Sequence, residues 1–207
     1  IHLGDDTVGV LIGDVSGKGI PAALTMAQLV AEFRVHARAV RSPSEVLRRI
    51  NAAMVQRTRR GTFCSMSYIV ADLNSGHCVV GNAGHHPAAV VSKAGVVSAF
   101  APSGPPVGIL AEADWTDDAT TIPSGHAVVL STDGITEART DEVPVSNTAA
   151  PNQYGAERLT ARLLTAAADS TAPDALIRAV MEDVQAFCGS APPFDDRTMI
   201  AMRIRHA

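Results

Sequence analysis

Between Thr62 and Ser131 the sequence runs through short β-type segments with no helical period between them, and this run constrains the fold more than any other feature. Phe63–Ala71, Cys78–Asn82, Ala88–Val91, Val96–Phe100, Trp115–Thr120 and Ala127–Ser131 carry β-branched or alternating apolar residues. Polar turns separate them, above all Asn74-Ser75-Gly76 and Gly84-His85-His86-Pro87. Parallel strands need long crossovers, usually helical, so this stretch predicts a mainly antiparallel sheet and disfavours a doubly wound fold.

Helical patterns flank the run. Thr7–Gly13 predicts a strand ending at a Gly-Asp boundary, and after Gly17-Lys18-Gly19 a helix carries Ala22, Met26, Leu29/Val30 and Phe33 on one face. Ser42-Pro43-Ser44-Glu45 is a helix-start signature, with Val46, Leu47, Ile50 and Met54 as the buried face that follows. Beyond a polar insertion, Asp141–Gln153, which is either a flexible loop or a plain solvent-facing connection, Ala156–Ala167 and Ala175–Phe187 predict two more helices. Thr171 and Pro173 mark the start of the second, and Thr198–Ile204 closes the chain as a strand. The expectation is an α/β (α+β) protein with two sheet layers and helices packed outside, a single domain over residues 1–207 whose 46% hydrophobic content suffices for a core.

With 17 basic against 21 acidic residues and a net charge of -4, no general attraction to nucleic acid or an anionic bilayer is expected. No stretch reaches the roughly 18 consecutive apolar residues of a membrane span. Cys64, Cys78 and Cys188 form no Cys-x-x-Cys pair, which argues against zinc and a disulfide scaffold and makes a cytoplasmic setting the expectation. The chain lacks an initiator Met and is expected to be part of a longer protein.

Three acid-bearing turns follow predicted strands or precede one: Gly13-Asp14-Val15-Ser16-Gly17-Lys18-Gly19, Ser131-Thr132-Asp133-Gly134 and Phe194-Asp195-Asp196-Arg197-Thr198. Carboxylates at such ends suit an oxygen-rich site for magnesium or manganese if folding gathers them, although each alone reads equally as a turn acid.

Together with Asn82-Ala83-Gly84-His85-His86-Pro87 and Gly104-Pro105-Pro106-Val107-Gly108, these motifs resemble, in order and spread over the whole chain, the bacterial SpoIIE/RsbU-like branch of the PP2C metal-dependent serine/threonine phosphatases. The resemblance implies a four-layer alpha-beta-beta-alpha sandwich and a site for two Mn2+ or Mg2+ ions. Asp14 would bridge the ions, the Val15 carbonyl would bind one, and Asp133 and Asp195 would hold the other. It further implies hydrolysis of phosphoserine or phosphothreonine by water activated at the ions. The substrate class it implies is a regulatory protein of the anti-anti-sigma type, with a sensory domain upstream and oligomerisation open. The family normally has a Gly-Gly-Asp segment on a preceding strand, whose Asp completes the metal site, and the resemblance implies that this sequence begins after it. Asp5 and Asp6 read instead as hairpin-turn residues.

Asp196 and Arg197 are candidates for orienting Asp195 or touching phosphate, and Lys18 for adding positive potential, against the simpler reading of each as a turn or solvated residue. His85-His86 offers a proton-transfer group or a packing element, and Met26, Met54 and Met66 read as core filler. Gly13–Gly19 is one residue too short for a nucleotide phosphate loop and lacks its Ser/Thr. Ser16 lacks the Gly-x-Ser-x-Gly elbow of a serine hydrolase. The alternative function is a noncatalytic phosphatase-fold domain that binds a phosphorylated regulatory protein.

Overall fold

The structure is a computed structural model that describes residues 1–57, 61–140, 152–193 and 195–205. Along the chain run β1 (His2–Gly4), β2 (Thr7–Val15), α1 (Gly19–Ala39), α2 (Pro43–Arg57), β3 (Cys64–Asp72), β4 (His77–Ala83), β5 (Ala88–Ser92), β6 (Gly95–Phe100), β7 (Asp118–Thr121), β8 (Ala127–Ser131), α3 (Asp133–Thr136), α4 (Ala156–Asp169), α5 (Pro173–Cys188) and β9 (Met199–Arg203). They form two compact units, the first centred on residues 1–87 and 100–124, the second on 88–99 and 125–204.

The first unit is a five-stranded sheet in the order β1-β2-β3-β4-β7 with antiparallel pairing throughout. Asp5 and Asp6, at φ 47° and 56°, make the two-residue turn between β1 and β2, a left-handed pair that Asp tolerates better than most residues. They are turn residues, as the sequence predicts. β2 and β3 pair without a slip from Thr7↔Asp72 to Val15↔Cys64. Leu29, Phe33 and Ala37 of α1 and Val46, Leu47, Ile50 and Met54 of α2 share one core with Val15, Cys64, Met66, Tyr68 and Val70. Phe33 meets Tyr68 edge-on at 4.9 Å between ring centroids.

The predicted cap of α2 is present, with Glu45 N–H donating to Ser42 Oγ at 3.2 Å. The Glu45 carboxylate pairs with Arg48 and Arg49 at 2.9 Å each, and Asp117 takes up the Ser44 amide and the Ser42 hydroxyl, both at 2.6 Å. The strand expected over Trp115–Thr120 begins later, at Asp118. Trp115 is instead buried in the core, its indole N–H donating to the Pro105 carbonyl at 2.9 Å and its own carbonyl accepting from Arg48 at 3.1 Å.

The second unit is a four-stranded sheet, β6-β5-β8-β9. Leu159, Leu163 and Ala167 of α4 and Leu176, Val180, Val184 and Cys188 of α5 pack with Val91, Ala127 and Val129. A polar link joins the two helices: Asp183 accepts from the Tyr154 hydroxyl at 2.6 Å and from Arg158 at 3.0 Å twice, while that guanidinium lies over the Tyr154 and Phe187 rings. Pro173 opens α5 and Thr171 stands just before it, as expected, the Thr171 hydroxyl donating to the Gly125 carbonyl at 2.8 Å. Of the insertion Asp141–Gln153, residues 141–151 lie outside the described residues. The α+β class with two antiparallel sheets and flanking helices is thus the observed one. Among the described residues no helix is long and apolar enough to cross a membrane.

Candidate active site

Val15 points into the helix-side core, so the strand pleat turns Asp14 to the opposite face of the first sheet. Directly across from Asp14 in the register is Ser65, whose Oγ lies 2.8 Å from His85 Nδ1. His85 is buried, and its backbone N–H donates to Asn82 Oδ1 at 2.8 Å, while Asn82 Nδ2 donates to the Phe100 carbonyl at 3.1 Å. The Asn82–His86 motif therefore builds architecture behind the Asp14 strand. Gly84 (φ 66°) belongs to it because a Cβ there would stand 2.5 Å from the Pro106 ring. Val107 of the neighbouring Gly-Pro-Pro-Val-Gly motif exchanges two backbone bonds of 2.9 Å with Cys64. The methionines read as filler behave so: Met54 and Met66 are buried and Met26 packs against the same core.

Beyond Asp14, Ser16 Oγ accepts the Phe63 N–H at 3.0 Å, a structural role for the serine. Gly17 and Gly19 take left-handed φ values of 97° and 74°, and exposed Lys18 precedes α1. Cys64 is fully buried. Its thiol is pushed up to about 12 by that burial and secondarily by the Asp14 charge, and burial pushes Cys78 up to about 11; neither is a thiolate nucleophile at neutral pH.

In the second unit, Asp133 begins α3, a short helix the sequence patterns do not disclose, and its backbone carbonyl accepts the Glu137 N–H at 2.7 Å. Asp195 lies in the turn before β9, where its Oδ1 accepts the Asp196 N–H at 2.8 Å. These two turns, separated by some sixty residues, meet. Thr132 N–H donates to the Thr198 carbonyl at 3.0 Å, Thr198 N–H donates to Thr132 Oγ1 at 3.0 Å, and Thr132 Oγ1 lies 3.3 Å from the Asp196 carbonyl. A Cβ on Gly134 would fall 2.1 Å from the Asp196 oxygen, so glycine alone permits the approach. Asp133, Asp195 and Asp196 are exposed. Arg197 reaches back to α5, its Nη2 3.2 Å from Cys188 Sγ.

A hard divalent cation takes carboxylate and carbonyl oxygens, and the three acids with the Val15 carbonyl supply oxygen only. That donor chemistry is the kind magnesium or manganese takes, and the Thr132–Thr198 bonds join the Asp133 and Asp195 turns. Among the described residues no three His, Cys, Asp or Glu side chains are gathered closely enough to hold an ion. Sequence reasoning missed Thr132, Asn51 and Asp117 as organisers. Asn51, buried on α2, accepts Gly108 N–H at 2.7 Å and donates to the Leu110 and Ala111 carbonyls at 2.9 and 3.3 Å, which fixes the loop after Val107.

The family model described as Stage II sporulation protein E (SpoIIE) matches residues 4–205. Protein IcfG of Synechocystis is 26% identical over 97% of this chain and 34% of its own length. The phosphoserine phosphatase RsbU of Bacillus subtilis is 29% identical over 66% of this chain and 41% of its own. The chain thus spans less than half the length of either relative. Among solved structures, the RsbU and RsbW domains of Rv1364c from Mycobacterium tuberculosis match 98% of this chain and 54% of that one, with a TM-score of 0.79 at 23% identity. The motif order, the two helix-covered antiparallel sheets and a family match from residue 4 to residue 205 lead to one assignment: the chain belongs to the SpoIIE/RsbU-like branch of the PP2C phosphatase superfamily.

Proposed function

We propose that this chain is the catalytic part of a metal-dependent protein phosphatase that hydrolyses phosphoserine or phosphothreonine on a regulatory protein, of the anti-anti-sigma type, in a bacterial signalling pathway. The observation that carries the reading is the bonded meeting of the Asp133 and Asp195 turns through Thr132 and Thr198, in a chain matched to the family over nearly its whole length. Asp14, the Val15 carbonyl, Asp133 and Asp195 are the proposed ligands for two Mn2+ or Mg2+ ions. Such ions, when bound, lower the pKa of water and offset charge on the phosphoryl oxygens.

The protein's own part is to hold that charge in place. Carboxylates fixed at strand ends cost no reorganisation when the phosphoryl group reacts. No side chain needs to form a covalent intermediate: Ser16 is committed to the Phe63 amide and Cys64 keeps its proton. Lys18 adds positive potential beside the Asp14 turn, and Asp196 and Arg197 steady the Asp195 turn.

Incubating the protein with a phosphoserine-bearing anti-anti-sigma-type protein and Mn2+, and weighing that substrate by mass spectrometry, tests the reading. The expected result is loss of one phosphate that a chelator stops. Retention of the phosphate, with the phosphoprotein held on the immobilised chain, would refute the catalytic reading in favour of a noncatalytic phosphoprotein-binding domain.

A further inference from the structure

We propose that Thr132 is a positioning residue whose hydroxyl forms a clasp that sets Asp133 relative to Asp195; the proposal rests on the reading of those two acids as ion ligands. The ladder between β8 and β9 ends at Ser131↔Met199. Beyond that pair begin the acid-bearing turns, and there the Thr132 side chain adds a bond of its own to the backbone one. Thr132 is 4% exposed, and its oxygen accepts the Thr198 N–H at 3.0 Å while lying 3.3 Å from the Asp196 carbonyl and 3.5 Å from that of Thr198. Its own N–H donates to the Thr198 carbonyl at 3.0 Å.

Asp133 is thereby bracketed. The residue before it binds Thr198 and reaches Asp196, and the residue after it, Gly134, has its Cα against the Asp196 carbonyl. A ligand set by such neighbours binds without ordering a loop at the moment of binding. Valine would keep the shape of Thr132 and delete the clasp, leaving the Thr198 N–H without its acceptor.

Two measurements on the full chain decide this. Amide hydrogen exchange without added metal is expected to show Thr198 protected, with little change on adding Mn2+. Exchange at the rate of an open loop until Mn2+ arrives would overturn the proposal. In a Mn2+ titration read by the paramagnetic resonance of the free ion, Thr132→Val is expected to raise the binding midpoint roughly 10- to 100-fold. Thr132→Ser, which retains the oxygen, is expected to return it to the wild-type value. Asp133→Asn is titrated alongside. A midpoint moved by Asp133→Asn but not by Thr132→Val overturns the positioning role and leaves the ligand reading standing, whereas a midpoint unmoved by Asp133→Asn overturns both. If the valine variant does not fold, the exchange of the wild-type protein and the serine variant's midpoint decide alone.

Discussion

Gly134 shows how narrowly single residues define the candidate site. Its missing side chain admits the Asp196 carbonyl to a place where a Cβ would sit 2.1 Å away, closer than any non-bonded pair tolerates. Gly134→Ala is therefore expected to push the two acid turns apart and to cost roughly 2 kcal/mol in urea unfolding, in the range of overpacking. A variant as stable as the wild type would show that the two turns separate freely. The Asp-Gly pair was legible in the sequence as a turn, and Asp14 and Asp195 as acids beside strands. What no pattern disclosed was the partner, since Thr132 meets Thr198 only after β8 and β9 have paired. Asn51 and Asp117 escaped notice for the same reason: their hydrogen-bond partners lie about sixty and about seventy positions away in sequence.

At the scale of elements, periodicity located the helices and most strands to within a few residues, because each buries one face against a sheet. It failed at Trp115, where β-type composition marks a core side chain in a loop, and at α3, too short to show a period. The junction of α4 and α5 carries a pH dependence. The Arg158 guanidinium beside Asp183, with the Tyr154 hydroxyl second, holds that carboxyl below its ordinary range. Folding thus favours the carboxylate, so its stabilisation is complete above the unfolded value of about 3.9 and is lost as the pH falls through the lower folded value. Asp183→Asn is expected to cost about 1 kcal/mol at pH 7 and progressively less below about pH 4. Urea unfolding across pH 3 to 7 checks this, and a difference between the proteins that does not vary with pH would contradict it.

For the whole molecule, two helix-covered sheets supply strand ends, and the acids proposed as ion ligands stand at or beside them. Asp14 belongs to the first unit and Asp133 and Asp195 to the second, and each is proposed as an ion ligand. The direct test is calorimetric titration of Mn2+ into the wild type and into Asp14→Asn, Asp133→Asn and Asp195→Asn, with phosphoserine-protein turnover followed in the same samples. Each substitution removes a charge and almost no volume, so the account expects every variant to keep its unfolding transition while Mn2+ affinity and turnover fall together by at least about tenfold. Wild-type Mn2+ affinity and turnover in the Asp14 variant, with losses in the other two, would contradict it.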